Sequence, residues 1–280
     1  MFQNFKNRLT ITGEIETCTA IHIGAAEDNF SPGGVKNPFL RNASGLPFIP
    51  GSSLKGVMRS FMERLFSEVE QGERLAKHVD FREGEWIPVC TPAKMCFDLS
   101  KQDSSDSKYV EYRDLVKARG REDDLSDFIY KNSCIICRIF GSQVNGSKLL
   151  IRDAEVCEGT FVEETDFELR TGVSIDRDLG KAVQGRFYDF EVVPQGTRFR
   201  FQAVAENVDE QEKHCLQILF RAMGLGLITI GGMTSRGLGS IKLTNVDVTC
   251  LDETNLLDVL LGRQKMKPLN WEGIAEGGEK

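Results

Sequence analysis

Two cysteine pairs are the first residues whose spacing suggests chemistry. Cys90 and Cys96 bracket five residues, Pro92 among them, and Cys134 and Cys137 bracket two. Thiolates are the preferred ligands of a tetrahedral zinc ion, and a close pair offers two ligands from one turn. The four are therefore expected to hold structural Zn2+. The competing reading makes Cys134 and Cys137 core residues beside Ile135 and Ile136. Cys18, Cys157, Cys215 and Cys250 have apolar neighbours and are expected to pack rather than pair.

A second constellation is Phe48-Ile49-Pro50-Gly51-Ser52-Ser53-Leu54-Lys55-Gly56-Val57-Met58-Arg59. An apolar run ends in Pro-Gly, and a helix follows. Leu54, Val57, Met58, Phe61 and Leu65 recur at helical spacing, so the helix should reach about Phe66. Ser52 or Ser53 should cap its first turn. Lys55 and Arg59 lie four apart and share a face. Free amides, hydroxyls and two cations at a helix start suit a phosphate. Alone, the same pattern describes a capped amphipathic helix with two solvated charges.

Two further segments carry weaker signals. Gly231-Gly232-Met233-Thr234-Ser235-Arg236-Gly237-Leu238-Gly239 could let backbone amides, Thr234, Ser235 and Arg236 approach a phosphate. It lacks the Gly-Lys-Ser/Thr ending of a nucleotide loop and precedes a strand, so it could equally be a tight turn. Gly172 to Ala182, with Ile175, Asp176 and Arg177, reads as an arm with cations for a backbone and an apolar tip for bases. His22, at a strand end, is a candidate acid/base or RNA-contacting group. Three histidines without a paired nucleophile argue against triad hydrolysis.

The elements that must position these groups follow from periodicity. Residues 8–23 alternate as a long strand with a break near Gly13. Asn37 to Arg41 suggests a short strand, and Asn42 to Gly45 a turn. Residues 67–137 form a long insertion, polar up to 133. Short helices are expected over 109–117 and 125–130. Leu149 to Val156 reads as one strand. Residues 188–193 and 198–204 read as a hairpin around Pro194-Gln195-Gly196. A helix over 210–223 precedes a strand over 240–248. From about 251 the tail is expected to be peripheral. The order suggests an α+β fold close to ferredoxin-like. The net charge of −7 argues against a general nucleic-acid binder, but the acids and bases are segregated, which leaves room for a basic channel. No apolar run approaches the roughly 18 residues of a membrane span. The first residues lack a signal-peptide core, so a cytoplasmic location is expected.

Taken together, Pro50 to Gly56 with Arg59, Phe140-Gly141-Ser142, Arg152-Asp153-Ala154, Ile175-Asp176-Arg177 with Gly180 and Ala182, and the 231–239 loop resemble the RAMP superfamily. The closest likeness is to the backbone subunit of type III CRISPR RNA-guided effector complexes, and it spans most of residues 8–248. The resemblance implies a modified ferredoxin-like (RNA-recognition-motif-like) core over 1–250, with a zinc-stapled insertion at 67–137, a β-hairpin thumb at 165–190 and a tail at 251–280. It implies guide RNA, target RNA, other RAMP subunits and the large subunit of the complex as partners, with no membrane. His22, Ser52, Ser53, Lys55, Arg59, Ile175, Asp176, Arg177, Gly232, Thr234, Ser235 and Arg236 would then face RNA. Active relatives cut target RNA with a divalent metal and an aspartate in a Gly-Gly-x-Asp-x-Pro-like context. Here that stretch is Gly33-Gly34-Val35-Lys36-Asn37-Pro38, so Lys36 stands in the aspartate's place. A guide-binding subunit without its own cleavage site is expected. The alternatives are a Mg2+-dependent endoribonuclease using Asp28 or His22, a guide-processing relative using histidine chemistry, and a zinc-stapled protein-interaction module without RNA.

Overall fold

The computed structural model describes residues 4–25, 37–67, 87–90, 96–101, 103–118, 120–161 and 166–271. In chain order the strands are β1 (Asn7–Thr17), β2 (Phe48–Ile49), β3 (Leu149–Ile151), β4 (Ala154–Glu155), β5 (Glu168–Ile175), β6 (Ala182–Val192), β7 (Arg198–Glu206), β8 (Ile241–Asp252) and β9 (Lys267–Pro268). The α-helices are α1 (Gly51–Leu65), α2 (Ser107–Lys117), α3 (Glu122–Lys131), α4 (Ile135–Phe140), α5 (Glu210–Gly224) and α6 (Leu256–Leu260). The main sheet has the order β3-β7-β1-β8-β9 and is antiparallel throughout. Following the chain through it gives β1-α1-β3-β7-α5-β8. Two small pairs, β2 with β4 and β5 with β6, stand outside it.

Alternation places Leu9, Ile11 and Ile15 of β1, Phe199 and Phe201 of β7, and Ile241 and Leu243 of β8 on one face. Against that face α1 brings Leu54, Met58 and Met62, and α5 brings Cys215, Leu216, Leu219, Phe220 and Met223. The opposite face is polar and ion-paired: Arg198 meets Glu14 at 3.5 Å, and Arg8 meets Glu206 at 3.1 Å. The break expected near Gly13 is a register shift between Thr12 and Glu14. A Cβ on Gly13 would lie 2.9 Å from the Thr244 carbonyl oxygen, so the bulge requires a glycine.

Several expectations need correction. Residues 188–193 and 198–204 do not pair with each other. Both edges of β7 are taken by β1 and β3, and β6 pairs with β5. The chain passes from one sheet to the other at Val193–Thr197, where the Gly196 amide donates to the Thr17 carbonyl at 2.8 Å. Residues 149–156 are two strands: β3 pairs with β7 as far as Ile151, β4 pairs with β2, and Val156 then bridges β7 again at Phe199. Residues 37–41 make only isolated bridges, such as Gly24 with Phe39. The tail is docked at least to Trp271. β9 pairs with β8, and the Trp271 ring stacks on Phe220 at 6.0 Å with only 8% exposure. The Asn42 turn and the insertion helices form as expected. No helix among the described residues is long and apolar enough to cross a membrane.

Candidate nucleic-acid interface and metal centre

The two cysteine pairs converge. Sγ atoms of Cys90, Cys96, Cys134 and Cys137 all lie within 4.8 Å of one another. Cys90 to Cys137 measures 3.2 Å and Cys90 to Cys134 3.8 Å. A tetrahedral zinc with bonds of about 2.3 Å has S–S edges of about 3.8 Å, so the set fits such an ion. Cys134 is the N-cap of α4 and Cys137 lies three residues on, which turns both to one side. Without a cation the four compete for negative charge. Hydrogen bonds from Cys137, Cys90 and Cys96 hold the Cys134 thiol far below its usual range. Cys134 pushes Cys137 and Cys96 above that range. It also pushes Cys90 up, but Cys137 and Cys96 outweigh it and hold Cys90 down at about 7. A dication removes the competition, since all four could then ionise. The core-cysteine reading is also satisfied in part, because Cys134 and Cys137 are buried beside Ile135 and Ile136.

The start of α1 departs from expectation. Neither Ser52 nor Ser53 caps it: the N-cap is Pro50, with no side-chain bond. The cap comes from far along the chain. Asp153 Oδ1 accepts the Gly51 amide at 2.7 Å. A Cβ on Gly51 would lie 2.4 Å from the Ile151 carbonyl oxygen, so glycine permits this close approach to β3. Ser52 is thereby left exposed and Ser53 half-buried. Lys55 is half-buried, and burial followed by the Arg59 charge lowers its basicity. Arg59 is committed within the protein. Its Nε donates to Glu63 at 2.7 Å, and an Nη donates to the Gly141 carbonyl at 3.1 Å. Burial opposes its charge, but Glu63, then Cys137 and Cys90, raise its basicity above the ordinary guanidinium value.

The 231–239 loop and His22 form one unit. Gly231 has φ +83°, and a Cβ there would lie 2.2 Å from the His22 carbonyl oxygen. The next amide, Gly232, donates to that same oxygen at 2.8 Å. His22 Nδ1 lies 2.6 Å from the Glu191 carbonyl oxygen. A carbonyl only accepts, so Nδ1 carries the proton and a neutral ring leaves Nε2 as the lone-pair nitrogen. That nitrogen sits 3.4 Å from where a Gly24 Cβ would be. Thr234, Ser235 and Arg236 form an exposed 3-10 turn. Met233 and Leu238 pack on Ala20, Phe190 and Val192. The loop is thus fastened to the base of the β5–β6 ribbon.

Glu191 ties that base together, and no sequence signal marked it. Its amide donates to the Asn37 carbonyl at 3.0 Å. Its carboxylate accepts the Phe39 amide at 2.9 Å and Arg41 at 3.1 Å. Arg41 also lies over the Phe167 ring at 3.9 Å. At the ribbon's other end, Asp176 Oδ1 accepts the amides of Asp178 and Leu179, so this carboxylate builds the tip. Arg177 is exposed there, and Leu179 is 70% exposed. Leu179 is thus an exposed apolar side chain at the tip; the Ile175 side chain lies outside the described residues, as do Asp28 and Lys36.

Strand directions bring these parts to one end of the sheet. β1 ends there, β7 and β8 begin there, and β3–β4 run toward it. Thr17 pairs with Ile241, so the glycine loop enters β8 at that end. The α1 start, beside Ile151 and Asp153, and the ribbon base, bridged at Ile21 to Val193, share it. The open sheet face carries no aromatic ring among the described residues of β1, β7 and β8, so it is no stacking platform of the kind that RNA-recognition motifs use. Asp153, Glu191 and Leu179 are the contributors that sequence reasoning did not assign.

The sequence model of the RAMP superfamily matches residues 14–242. A curated relative from Methanocaldococcus jannaschii, named CRISPR system Cms endoribonuclease Csm3, is 26% identical over 254 residues, covering 88% of this chain and 82% of its own. A protein of the same name from Methanothermobacter thermautotrophicus is 25% identical over 269 residues, with 87% and 86% covered. One from Enterococcus italicus is 25% identical over 272 residues, with 89% and 98% covered. The family match begins inside β1 and ends inside β8, so it takes in every element that builds this end of the sheet, and the chain belongs to the RAMP superfamily.

Proposed function

We propose that the chain is a guide-RNA-binding backbone subunit of a type III CRISPR effector complex, acting in the cytoplasm with guide RNA, complementary target RNA, further RAMP subunits and the large subunit. The observation that carries this reading is the gathering of the α1 start, the glycine loop and the base of the ribbon at one end of the sheet. Amides and cations hold a nucleic-acid backbone without reading its bases, and base pairing supplies specificity. Ser52, Ser53 and Lys55 contact guide phosphates from α1. Gly232, Thr234, Ser235 and Arg236 do so from the loop. Arg177 and the ribbon tip, with Ile175 near it, contact bases or backbone, Asp176 shaping the turn. The β1-α1-β3-β7-α5-β8 order with β8-β1-β7-β3 adjacency supports a modified ferredoxin-like core over 1–250. Residues 67–137 are an insertion stapled by Zn2+ on Cys90, Cys96, Cys134 and Cys137. The ion would supply cross-linking, not chemistry. Residues 165–190 are the thumb and 251–280 the tail. Purification of the tagged chain from its host tests this: small RNA of defined length should accompany it, and its absence would favour a protein-interaction module.

A second reading, a metal-dependent target-RNA endoribonuclease, is favoured by the name that the relatives carry. In that reaction a 2′-hydroxyl would lose its proton and bond the adjacent phosphorus, giving a 2′,3′-cyclic phosphate, while the 5′-oxygen leaves and takes up a proton; Mg2+ would neutralise the developing charge. Asp28 or His22 would serve it. His22 precedes Asp28 by six residues in sequence, and its Nδ1–H is fixed by the Glu191 carbonyl, which leaves Nε2 as an acceptor. Lys36 in the expected aspartate position favours binding over cutting, because an ammonium cannot ligate the metal. Labelled target RNA with Mg2+ decides: regular cuts abolished by Asp28→Ala establish the endoribonuclease.

A further inference from the structure

We propose that Arg59 is the outer cation of the tetracysteine centre and fastens α1 to it, instead of holding a guide phosphate. The proposal rests on the reading that the four cysteines hold a metal ion. Arg59 lies one turn beyond Lys55 on the same face of α1, but its surroundings differ. Arg59 shares a cleft with Cys90, Cys96 and Cys137, which Phe97, Ser142 and Gln143 also line. One donor goes to the Gly141 carbonyl at 3.1 Å. Gly141 directly follows α4, the helix that presents Cys137 and is capped by Cys134. Another donor goes to Glu63 at 2.7 Å, one turn further along α1. The guanidinium therefore bridges α1 to the end of the cysteine helix, with Glu63 holding its orientation.

The charge argument agrees. Four thiolates around a dication carry a net charge of about −2. A fixed planar cation beside them offsets that charge; partners hydrogen-bonded to metal ligands change metal affinity by about 10- to 100-fold, and a cation acting through charge alone belongs at the low end of that range. Arginine suits the place because its fork can satisfy a carboxylate and a carbonyl at once, which an ammonium cannot do with fixed geometry. Lys55 has no ion-pair partner recorded among the described residues and remains the cation available to RNA. Along one face of α1, Lys55 serves the nucleic acid and Arg59 the metal. Metal loading would then stiffen the same helix that starts the RNA cradle.

The test uses the full chain purified with its zinc. Release into a chromophoric chelator and modification by a thiol reagent are followed for wild type, Arg59→Gln, Arg59→Lys and Lys55→Gln. Arg59→Gln should release zinc about tenfold faster, Arg59→Lys should be intermediate, and Lys55→Gln should match wild type. RNA affinity measured across salt should lose about one unit of slope for Lys55→Gln and none for Arg59→Gln. Wild-type zinc release by both Arg59 variants, or a slope loss in Arg59→Gln equal to that of Lys55→Gln, overturns the proposal. If Arg59→Gln does not fold, Arg59→Lys decides alone: an unchanged release rate is a refutation. A wild-type chain without stoichiometric zinc refutes the metal reading itself, an outcome distinct from zinc that is bound but indifferent to Arg59.

Discussion

Gly231 and Gly237 lie in one loop, share a positive φ, and should respond to alanine very differently. Gly231 has φ +83° and Gly237 φ +85°. Placing an L-residue in this region costs about 1–2 kcal/mol, and that should be the whole penalty for Gly237→Ala, since nothing lies within 4 Å of its added Cβ. At Gly231 the Cβ would stand 2.2 Å from the His22 carbonyl oxygen, against a comfortable separation of about 3.5 Å. The loop must retreat by about 1 Å. That retreat breaks the Gly232 amide bond to the same oxygen, worth about 0.5–1.5 kcal/mol net. Gly231→Ala should therefore cost about 1.5–3.5 kcal/mol, about 0.5–1.5 kcal/mol beyond Gly237→Ala. Urea unfolding of both variants with an unchanged m-value measures the difference. Because the retreat separates the loop from His22, RNA affinity should fall about tenfold or more for Gly231→Ala and little for Gly237→Ala. Equal losses of stability in the two variants would refute the close packing of loop and histidine.

Other outcomes follow from the same geometry. Asp153→Ala removes the only side-chain cap of α1 among the described residues and should cost about 1 kcal/mol in denaturant unfolding, whereas Ser52→Ala should cost little. Lys148 and Glu212 form a pair exposed by only 3% and 0%, and Lys148→Met should cost about 3–5 kcal/mol in the same assay. Burial, opposed by Lys148, raises the Glu212 carboxyl above its ordinary 4.5. The native chain therefore binds more protons there than the unfolded chain, and this contribution is lost as pH rises from about 4.5 through the folded value; Glu212→Gln should flatten that slope. Chelation of zinc, followed by hydrogen exchange, should deprotect α4 and the segment around Cys96 while leaving β1 and β7 protected; uniform protection would contradict a stapled insertion.

Local patterns were legible and partnerships were not. The apolar spacing of Leu54, Met58 and Phe61 marks α1, and alternation marks β7 and its inward face, because both depend on neighbours along the chain. The cysteine centre was legible because close pairs have few other uses. Strand partners were another matter: alternation in 198–204 looks the same whether the partner is β6 or, as found, β1 and β3. The cap on α1 reaches it from Asp153, 102 residues away. Glu191 serves Phe39 across 152 residues. Serines beside a helix start look like caps until a carboxylate from another element takes the amide. Arg59 looked like a surface cation because Gly141, 82 residues on, gives no hint in sequence that its carbonyl is the acceptor.

The central claim is that RNA lies across one end of the sheet, held by the α1 start, the glycine loop and the ribbon. Photo-cross-linking of the purified complex, with mass spectrometry of the attached nucleotides, reads this directly. Cross-links should fall within 51–56, 176–179 and 231–237. Cross-links confined to the open sheet face, at Arg198, Arg200 or Lys242, would contradict it.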